Sequence, residues 1–354
     1  MKINAPEEKQ NLIYIILESM EITFADKQAG GAMDKNYIKE LTDIALDNEC
    51  FSSGNELNGA KHVNGATYTM GALTAQTAGI PINEYLVSNA TLNNTWESED
   101  NYFPGAWSIG DILKEQGYNQ EFLIGSVGGF AGRSSYFRGH GDYDIEDYDK
   151  AIEKHRIPAD YSVWWGYEDE KLFDFAKEDL VKLSKEEQPF NFTMLTVDTH
   201  FTGGYECRLC KDEYENQYSN VIACASKQVS DFLDWIKMQD FYSNTTIVIV
   251  GDHLTPDSSY IDSENVDSYD RRVYVAIINS KNEKIINSDR VYTTLDLYPT
   301  TVSAMGIEFE GNRLGLGVDL YSDEPTLAEK LGIEQLNTEL LKNSSFYKKK
   351  LLYK

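Results

Sequence analysis

The sequence predicts an α/β fold built on a mostly parallel central sheet, with a small appendage at its C-terminal end. Three observations carry this. First, apolar, β-branched runs without polar alternation recur at residues 11–17, 190–197 and 246–250, the pattern of strands buried on both faces. Second, stretches with helical apolar spacing separate these runs, so strands and helices alternate from residue 11 to about residue 306. Third, each run breaks off into acidic residues or histidine: Glu18, then Asp198 and His200, then Asp252 and His253. In a parallel sheet those ends share one edge, the edge where open α/β folds bind ligands.

The elements follow in order. Residues 1–10 read as a linker, and residues 11–17 as the first strand. Residues 34–48 place Ile38, Leu41, Ile44 and Leu46 near helical spacing, with Asp34 as N-cap. Residues 51–66, rich in Gly, Ser and Asn, predict a loop. Residues 70–78 are small, which predicts a helix packed close to the sheet and ended by Gly79-Ile80-Pro81. A helix over 108–117 leads to a short strand at 119–124 and then to the Gly-rich loop Gly125–Arg133. Amphipathic helices are predicted at 168–183 and, with Val221, Ala225, Val229, Phe232 and Ile236 on one face, at 220–238. Another strand is expected at Arg272–Ile278, and a short strand plus a helix at 290–306. Past Gly317 the pattern weakens. Neither a repeat nor a dividing linker interrupts the chain, so the expected division is one domain over 11–320 and a helical tail over 321–354. Lys342, Lys348, Lys349, Lys350 and Lys354 make that tail basic, either as a solvated helix end or as a segment beside an anionic membrane surface.

Composition bounds the function. With 354 residues, 41% of them hydrophobic, a full core forms. A net charge of −26 argues against nucleic-acid binding through a broad basic surface. An anionic substrate then needs a local positive site, a metal or an arginine. The 23 tyrosines suit polar or carbohydrate ligands. No run reaches the ~20 apolar residues of a membrane span, and the chain reads as a soluble piece of a longer protein. Of four cysteines, Cys207, Cys210 and Cys224 cluster while Cys50 stands apart. Cys207-x-x-Cys210 reads as a zinc half-site, a redox pair or one arm of a local disulfide; with no second CxxC and no adjacent histidine to complete a zinc site, one disulfide joining Cys224 to Cys207 or Cys210 is the favoured reading, implying an extracytoplasmic setting, and four buried free thiols is the bland one.

Glu18, Asp252 and His253 offer two carboxylates and an imidazole, a three-ligand metal site with an open position. Taken alone, Asp252 reads equally well as a helix cap and His253 as a surface histidine, and the other strand ends weigh against that. The missing part is a hydroxyl nucleophile, for which Thr67 and Thr69 are candidates. Thr69 follows a Gly-Ala loop and opens the predicted helix, where free N–H groups and the positive dipole end favour a bound anion; an ordinary N-cap role is compatible with this. A metal bound to the hydroxyl turns it into a nucleophile. A phosphoryl group in transfer needs positive charge around its oxygens and a proton donor for the leaving alcohol: Arg133 suits the first role, and His200 or His140 the second. Three of the five histidines, His140, His200 and His253, fall in strand-end loops.

These residues lie in blocks whose order resembles the extracellular catalytic domain of the lipoteichoic acid synthase and phosphoglycerol transferase group, within the alkaline phosphatase and sulfatase superfamily. The blocks are Ile15-Ile-Leu-Glu-Ser19; Gly65-Ala-Thr-Tyr-Thr-Met-Gly71 with Gly79-Ile-Pro81; Phe130-Ala-Gly-Arg133 to His140-Gly141; Asp198-Thr-His200; Gly251-Asp-His253; and Tyr292-Thr-Thr-Leu-Asp-Leu-Tyr-Pro-Thr300. The spacing from Thr69 to Gly79-Ile80-Pro81 looks most like that of transferases that decorate glycans. The resemblance implies a three-layer sandwich, alkaline phosphatase/sulfatase-like. It implies one divalent metal, usually Mn2+ with Mg2+ or Zn2+ as alternatives, on Glu18, Thr69, Asp252 and His253. It also implies Thr69 as nucleophile through a phospho-threonine intermediate, and Arg133, His140 and His200 around the glycerol phosphate.

The implied donor is a phosphatidylglycerol-type lipid and the implied acceptor a polysaccharide. The setting would be the extracellular face of the membrane, which a further segment of the parent protein would reach. The chain departs from sulfatases in lacking a C-x-P/A-x-R motif, and from phosphoethanolamine transferases in lacking a Pro-Cys pair after the threonine. Two rivals stand beside this reading. One is a phosphoethanolamine transferase or phosphodiesterase on the same site; the other is a non-catalytic glycan-binding module.

Overall fold

A computed structural model describes residues 2–83, 102–266, 268–283 and 289–352. Its strands are β1 (Ile3–Asn4), β2 (Asn11–Leu17), β3 (Asn119–Ile124), β4 (Asp144–Glu146), β5 (Phe190–Leu195), β6 (Thr245–Gly251), β7 (Val275–Ile278), β8 (Glu308–Phe309), β9 (Arg313–Leu314) and β10 (Gly317–Val318). Six of them form one sheet in the order β4-β3-β5-β2-β6-β7, parallel throughout except for β7, which runs antiparallel to β6. The three apolar runs that the sequence marks, β5, β2 and β6, are its central neighbours, and every residue of each is buried.

Side chains alternate across β2 and divide the core. Leu12, Tyr14 and Ile16 face a cluster shared with α2 (Thr69–Ala78), α3 (Ile109–Glu115), α4 (Arg133–Gly139) and α9 (Leu297–Ala304). Ile13, Ile15 and Leu17 face a second cluster with α1 (Lys39–Asp47), α5 (Tyr148–Glu153), α6 (Asp169–Leu183), α7 (Gln217–Lys237) and α8 (Ser258–Ser263). Helices on both faces of a mostly parallel sheet make three layers. Truncating one central residue, Ile16→Ala, costs ~2–5 kcal/mol by the usual range for buried aliphatic side chains.

Register positions the functional edge. Leu17 pairs with Gly251 and Ile16 with Leu195, so Glu18, Thr196 and Asp252 leave the sheet side by side. The rungs continue one residue past the strands, from Asp252 N to Leu17 O at 3.0 Å and from Thr196 N to Ile16 O at 3.0 Å.

Helix α2 is buried along its whole length, which explains its small residues. A Cβ on Gly71 would lie 2.5 Å from the Gly65 carbonyl oxygen, so only glycine lets the helix approach its own entry loop. Gly79 ends the helix in the left-handed conformation, at φ 64°.

Several expectations shift. Helix α1 begins at Lys39, because Asn36 Oδ1 accepts the Ile38 N–H in a tight turn and Asp34 pairs with Lys27 at 2.7 Å instead of capping. The strand expected over Arg272–Ile278 is regular only from Val275, and its upstream backbone bonds Ala60 and Ile22. The disulfide expected within the cysteine cluster is absent: Cys207 Sγ lies 3.7 Å from Cys210 Sγ and 3.9 Å from Cys224 Sγ, against ~2.05 Å for a bond.

The first and last described segments pack on the domain. Residues 3–4 pair with β8. After α10 (Leu327–Leu331) and α11 (Ile333–Leu340), Tyr347 Oη donates to the Pro81 carbonyl at 3.0 Å and accepts the Asn83 N–H at 3.1 Å. Lys354 and Met1 lie outside the described residues. Among the described residues no helix is long and apolar enough to cross a membrane.

Candidate active site at the sheet edge

Glu18 follows β2, and Asp252 and His253 follow β6; one ligand atom from each lies within 4.8 Å of the others. His253 Nε2 is 3.5 Å from Glu18 Oε1 and 3.3 Å from Asp252 Oδ2. His253 Nδ1 lies 2.9 Å from the Leu254 carbonyl oxygen, so the hydrogen belongs on Nδ1 and the lone pair of Nε2 faces the carboxylates. Asp252 Oδ1 accepts the backbone N–H groups of Ser19 and His253, each at 2.7 Å. Its Oδ2 is buried with no hydrogen-bond donor. Two carboxylates, an imidazole lone pair and an unpartnered buried oxygen fit a divalent cation.

The electrostatics agree. Burial pushes the Asp252 carboxyl up to about 7, helped by the Glu18 charge and opposed by His253 and the two backbone donors. Burial also penalises the Glu18 charge, but His253, His200, Ser19 and Arg133 outweigh it and hold Glu18 below its ordinary value. Burial disfavours the His253 cation, yet the two carboxylates raise its pKa. Negative charge is thus concentrated here and offset within the chain by one arginine and histidines.

Thr69 is the first residue of α2 and is buried, with its Oγ1 3.4 Å from Glu18 Oε2. Tyr68, in extended conformation, is the N-cap, and its side chain makes no capping bond to the helix N-terminus. Thr67, the other candidate, is exposed, and the structure does not bring it to the cluster. In α2, Gln76 Nε2 donates to the Gly251 carbonyl at 2.9 Å and ties the helix to the end of β6.

Arg133 and His200 line a cleft with Glu18, Thr196, Phe130 and Trp165. Arg133 opens α4 after a tight turn in which Ala131 and Gly132 have positive φ, 55° and 79°. Its guanidinium lies over Phe130, 5.2 Å from the ring centre, and donates to Ser126 Oγ at 3.1 Å; Nε is buried without a partner. The His200 ring stacks on Phe201 and packs against Trp165, both at 4.8 Å. Its Nδ1 lies 2.7 Å from the Phe201 carbonyl oxygen, which leaves Nε2 unengaged.

His140 departs from the expected site. It follows α4, whose seven residues carry it ~10 Å along the helix axis from Arg133. There it is buried, with Nδ1 3.1 Å from Asp111 Oδ2 and Nε2 2.6 Å from the Tyr102 carbonyl oxygen. Both ring nitrogens lie against the scaffold, and His140 is not among the residues that line the cleft with Arg133 and His200.

Several site-forming residues escape a reading of the sequence. Ser19, at φ 51°, gives its N–H to Asp252 and its Oγ to Glu18 Oε1 at 2.7 Å. Thr196 Oγ1 accepts the Glu18 N–H at 3.0 Å, and Thr199 Oγ1 donates to the Glu18 carbonyl. Buried Glu21 takes Arg271 on both oxygens and the Thr255 N–H at 3.0 Å, fixing the loop after His253. Adjacency to Glu18 was a usable signal for Ser19; the threonines and Gln76 carried none.

The Sulfatase family model matches residues 10–307. A curated relative, phosphoglycerol transferase I of Shigella flexneri, is 28% identical over 323 residues, which is 88% of this chain and 39% of the relative. The chain therefore spans about two fifths of the length of the curated relatives it matches. Among solved structures, an alkaline phosphatase superfamily protein from Vibrio parahaemolyticus superposes with TM-score 0.67 at 21% identity, covering 92% of this chain and 72% of that one. The lipoteichoic acid synthase LtaP from Listeria monocytogenes superposes with TM-score 0.65 at 17% identity, covering 89% and 78%.

Proposed function

The chain belongs to the Sulfatase family, and on that premise we propose that it is the catalytic domain of a metal-dependent phosphoglycerol transferase. The observation that carries the reading is the buried Thr69 hydroxyl, at a helix N-terminus and 3.4 Å from Glu18, beside a cluster of metal-ligating groups. Curated relatives named phosphoglycerol transferase I support the same choice of group transferred.

Glu18, Thr69, Asp252 and His253 would hold one divalent cation, for which the oxygen-rich set favours Mn2+ over Mg2+ or Zn2+. Bound there, the cation supplies Lewis-acid charge to the threonine oxygen and the phosphoryl group. The chain supplies the rest. Glu18 orients the Thr69 hydroxyl, and the free N–H groups opening α2 receive phosphoryl oxygens. Arg133, held over Phe130, binds another. Thr69 Oγ passes its proton to Glu18 Oε2 and bonds to phosphorus as the diacylglycerol oxygen leaves, and protonated His200 gives that oxygen a proton from Nε2. The acceptor hydroxyl then loses its proton to His200, bonds to phosphorus and displaces the Thr69 oxygen, which takes its proton back from Glu18. We take the donor to be a phosphatidylglycerol-type lipid at the outer face of a membrane and the acceptor a polysaccharide hydroxyl.

The test is incubation of the purified domain with labelled phosphatidylglycerol and Mn2+, without acceptor. Release of diacylglycerol and a phosphoglycerol-sized mass increment on the peptide carrying Thr69 are the expected results. Turnover of phosphatidylethanolamine in its place, or an increment on another residue, overturns the reading.

A further inference from the structure

The cluster of Cys207, Cys210 and Cys224 lies outside the site described above, and no step proposed there uses it. Its three sulfurs lie within 4.8 Å of one another. Cys207 and Cys210 close a tight turn, Cys210 N donating to the Cys207 carbonyl at 3.1 Å, while Cys224 comes from α7. A zinc ion ~2.3 Å from each ligand in tetrahedral array sets its sulfurs ~3.8 Å apart. The two contacts of Cys207, 3.7 and 3.9 Å, have that length.

The surroundings suit thiolates. Gln228, one turn beyond Cys224, directs Nε2 at two sulfurs, 3.6 Å from Cys224 and 3.9 Å from Cys207. Donors aimed at ligand sulfurs are what thiolate metal sites place around the ion. A disulfide would use two sulfurs and strand the third; three sulfurs sharing one centre leave none over. Cys207 and Cys224 are buried and Cys210 is half-buried, so a fourth position opens toward solvent.

We propose that these three thiolates bind one zinc-class divalent cation, with a water as the fourth ligand. The site would staple the segment after His200 to α7. That segment already returns toward the sheet through the Tyr205 N–H, which donates to the Asp198 carbonyl at 2.7 Å. The cation thereby secures the loop carrying His200, and binding releases the thiol protons.

The test is titration of Co2+ into the full chain purified under reducing conditions. The expected result is thiolate-to-cobalt charge-transfer absorption that is displaced by Zn2+ and that, in Asp252→Asn, saturates at one cobalt per chain. It should persist in Asp252→Asn, which removes a ligand of the other candidate centre, and so the two centres are distinguished. Cys224→Ser should abolish the band while Cys50→Ala keeps it. Because the wild-type spectrum is itself decisive, a variant that fails to fold does not remove the test. Cobalt binding without that band overturns the proposal. Thiol titration then separates the remaining states: a count two short of the four cysteines identifies a disulfide, and a full count identifies free thiols.

Discussion

The Ser19 backbone N–H donates to Asp252 Oδ1 at 2.7 Å, and this bond joins the ends of two neighbouring parallel strands. It uses one oxygen of Asp252 and leaves Oδ2 without a hydrogen-bond donor in a buried cluster. The pH dependence of the metal-free protein follows. Asp252, lifted to about 7, keeps in the folded state a proton that the unfolded chain has already lost above ~4. His253, raised by the two carboxylates, contributes stability below its unfolded pKa that is lost as pH rises through its folded one. Both run in the same direction, so the metal-free melting temperature should fall between pH 5 and pH 8, roughly the span set by these groups. Glu18, held low, contributes stability present above its unfolded pKa and lost only in acid, outside that window. Thermal melts in chelator across this range test the slope; Asp252→Asn should flatten it, and Mn2+ should reverse its sign.

Thr69→Ala should remove activity by at least ~10^3-fold, the scale seen when a nucleophile is deleted, with little change in stability. Thr69→Ser should retain part of it. Thr67→Ala, at an exposed position, should leave activity near wild type, and the melting temperature with it, since surface substitutions usually change stability by no more than ~0.5 kcal/mol. Lipid-cleavage assays on the three variants, with melts as the control for folding, separate the two threonines.

How far the sequence anticipates this geometry depends on what each residue type encodes. The unbroken apolar runs of β2, β5 and β6 can only be central strands, and their shared direction puts Glu18, His200 and Asp252 at one edge. Strand direction at the sheet margin is not encoded in an apolar run, so antiparallel β7 was not legible. Nor was the fate of His140: it stands seven positions beyond Arg133 at the far end of a helix, and whether the helix points along or away from the edge is set by packing. Ser19 and Thr196 act through backbone N–H groups and hydroxyls, which leave no periodic signature.

Arg133 should govern substrate binding more than turnover. Its guanidinium is fixed by Ser126 and Phe130, with Nε free of partners. Losing a charge-assisted bond costs ~1.5–3 kcal/mol, so Arg133→Gln should lower kcat/KM by about 10- to 150-fold, mostly through KM. Arg133→Lys should recover little, because an ammonium cannot lie on Phe130 and fork two phosphoryl oxygens at once. Steady-state kinetics on a soluble glycerophosphodiester would show the split; a loss confined to kcat would argue that Arg133 does not bind the ground-state phosphate.

His200 and His140 should respond in opposite ways, and the contrast tests the assignment of the proton donor. His200 is half-buried at the cleft with Nε2 unengaged, so His200→Ala should reduce kcat by ~10^2- to 10^4-fold, the usual value of a positioned acid–base, and leave the melting temperature nearly unchanged. His140 is buried between Asp111 and the Tyr102 carbonyl, and His140→Ala removes the buried hydrogen bonds that its ring makes with them. That should cost roughly 1–3 kcal/mol of stability, visible as a lowered melting temperature, with kcat retained in the folded fraction. A large loss of kcat in a stable His140→Ala would return that residue to the reaction. An active His200→Ala with an unchanged pH–rate profile would remove His200 from it, leaving the leaving-group proton to solvent.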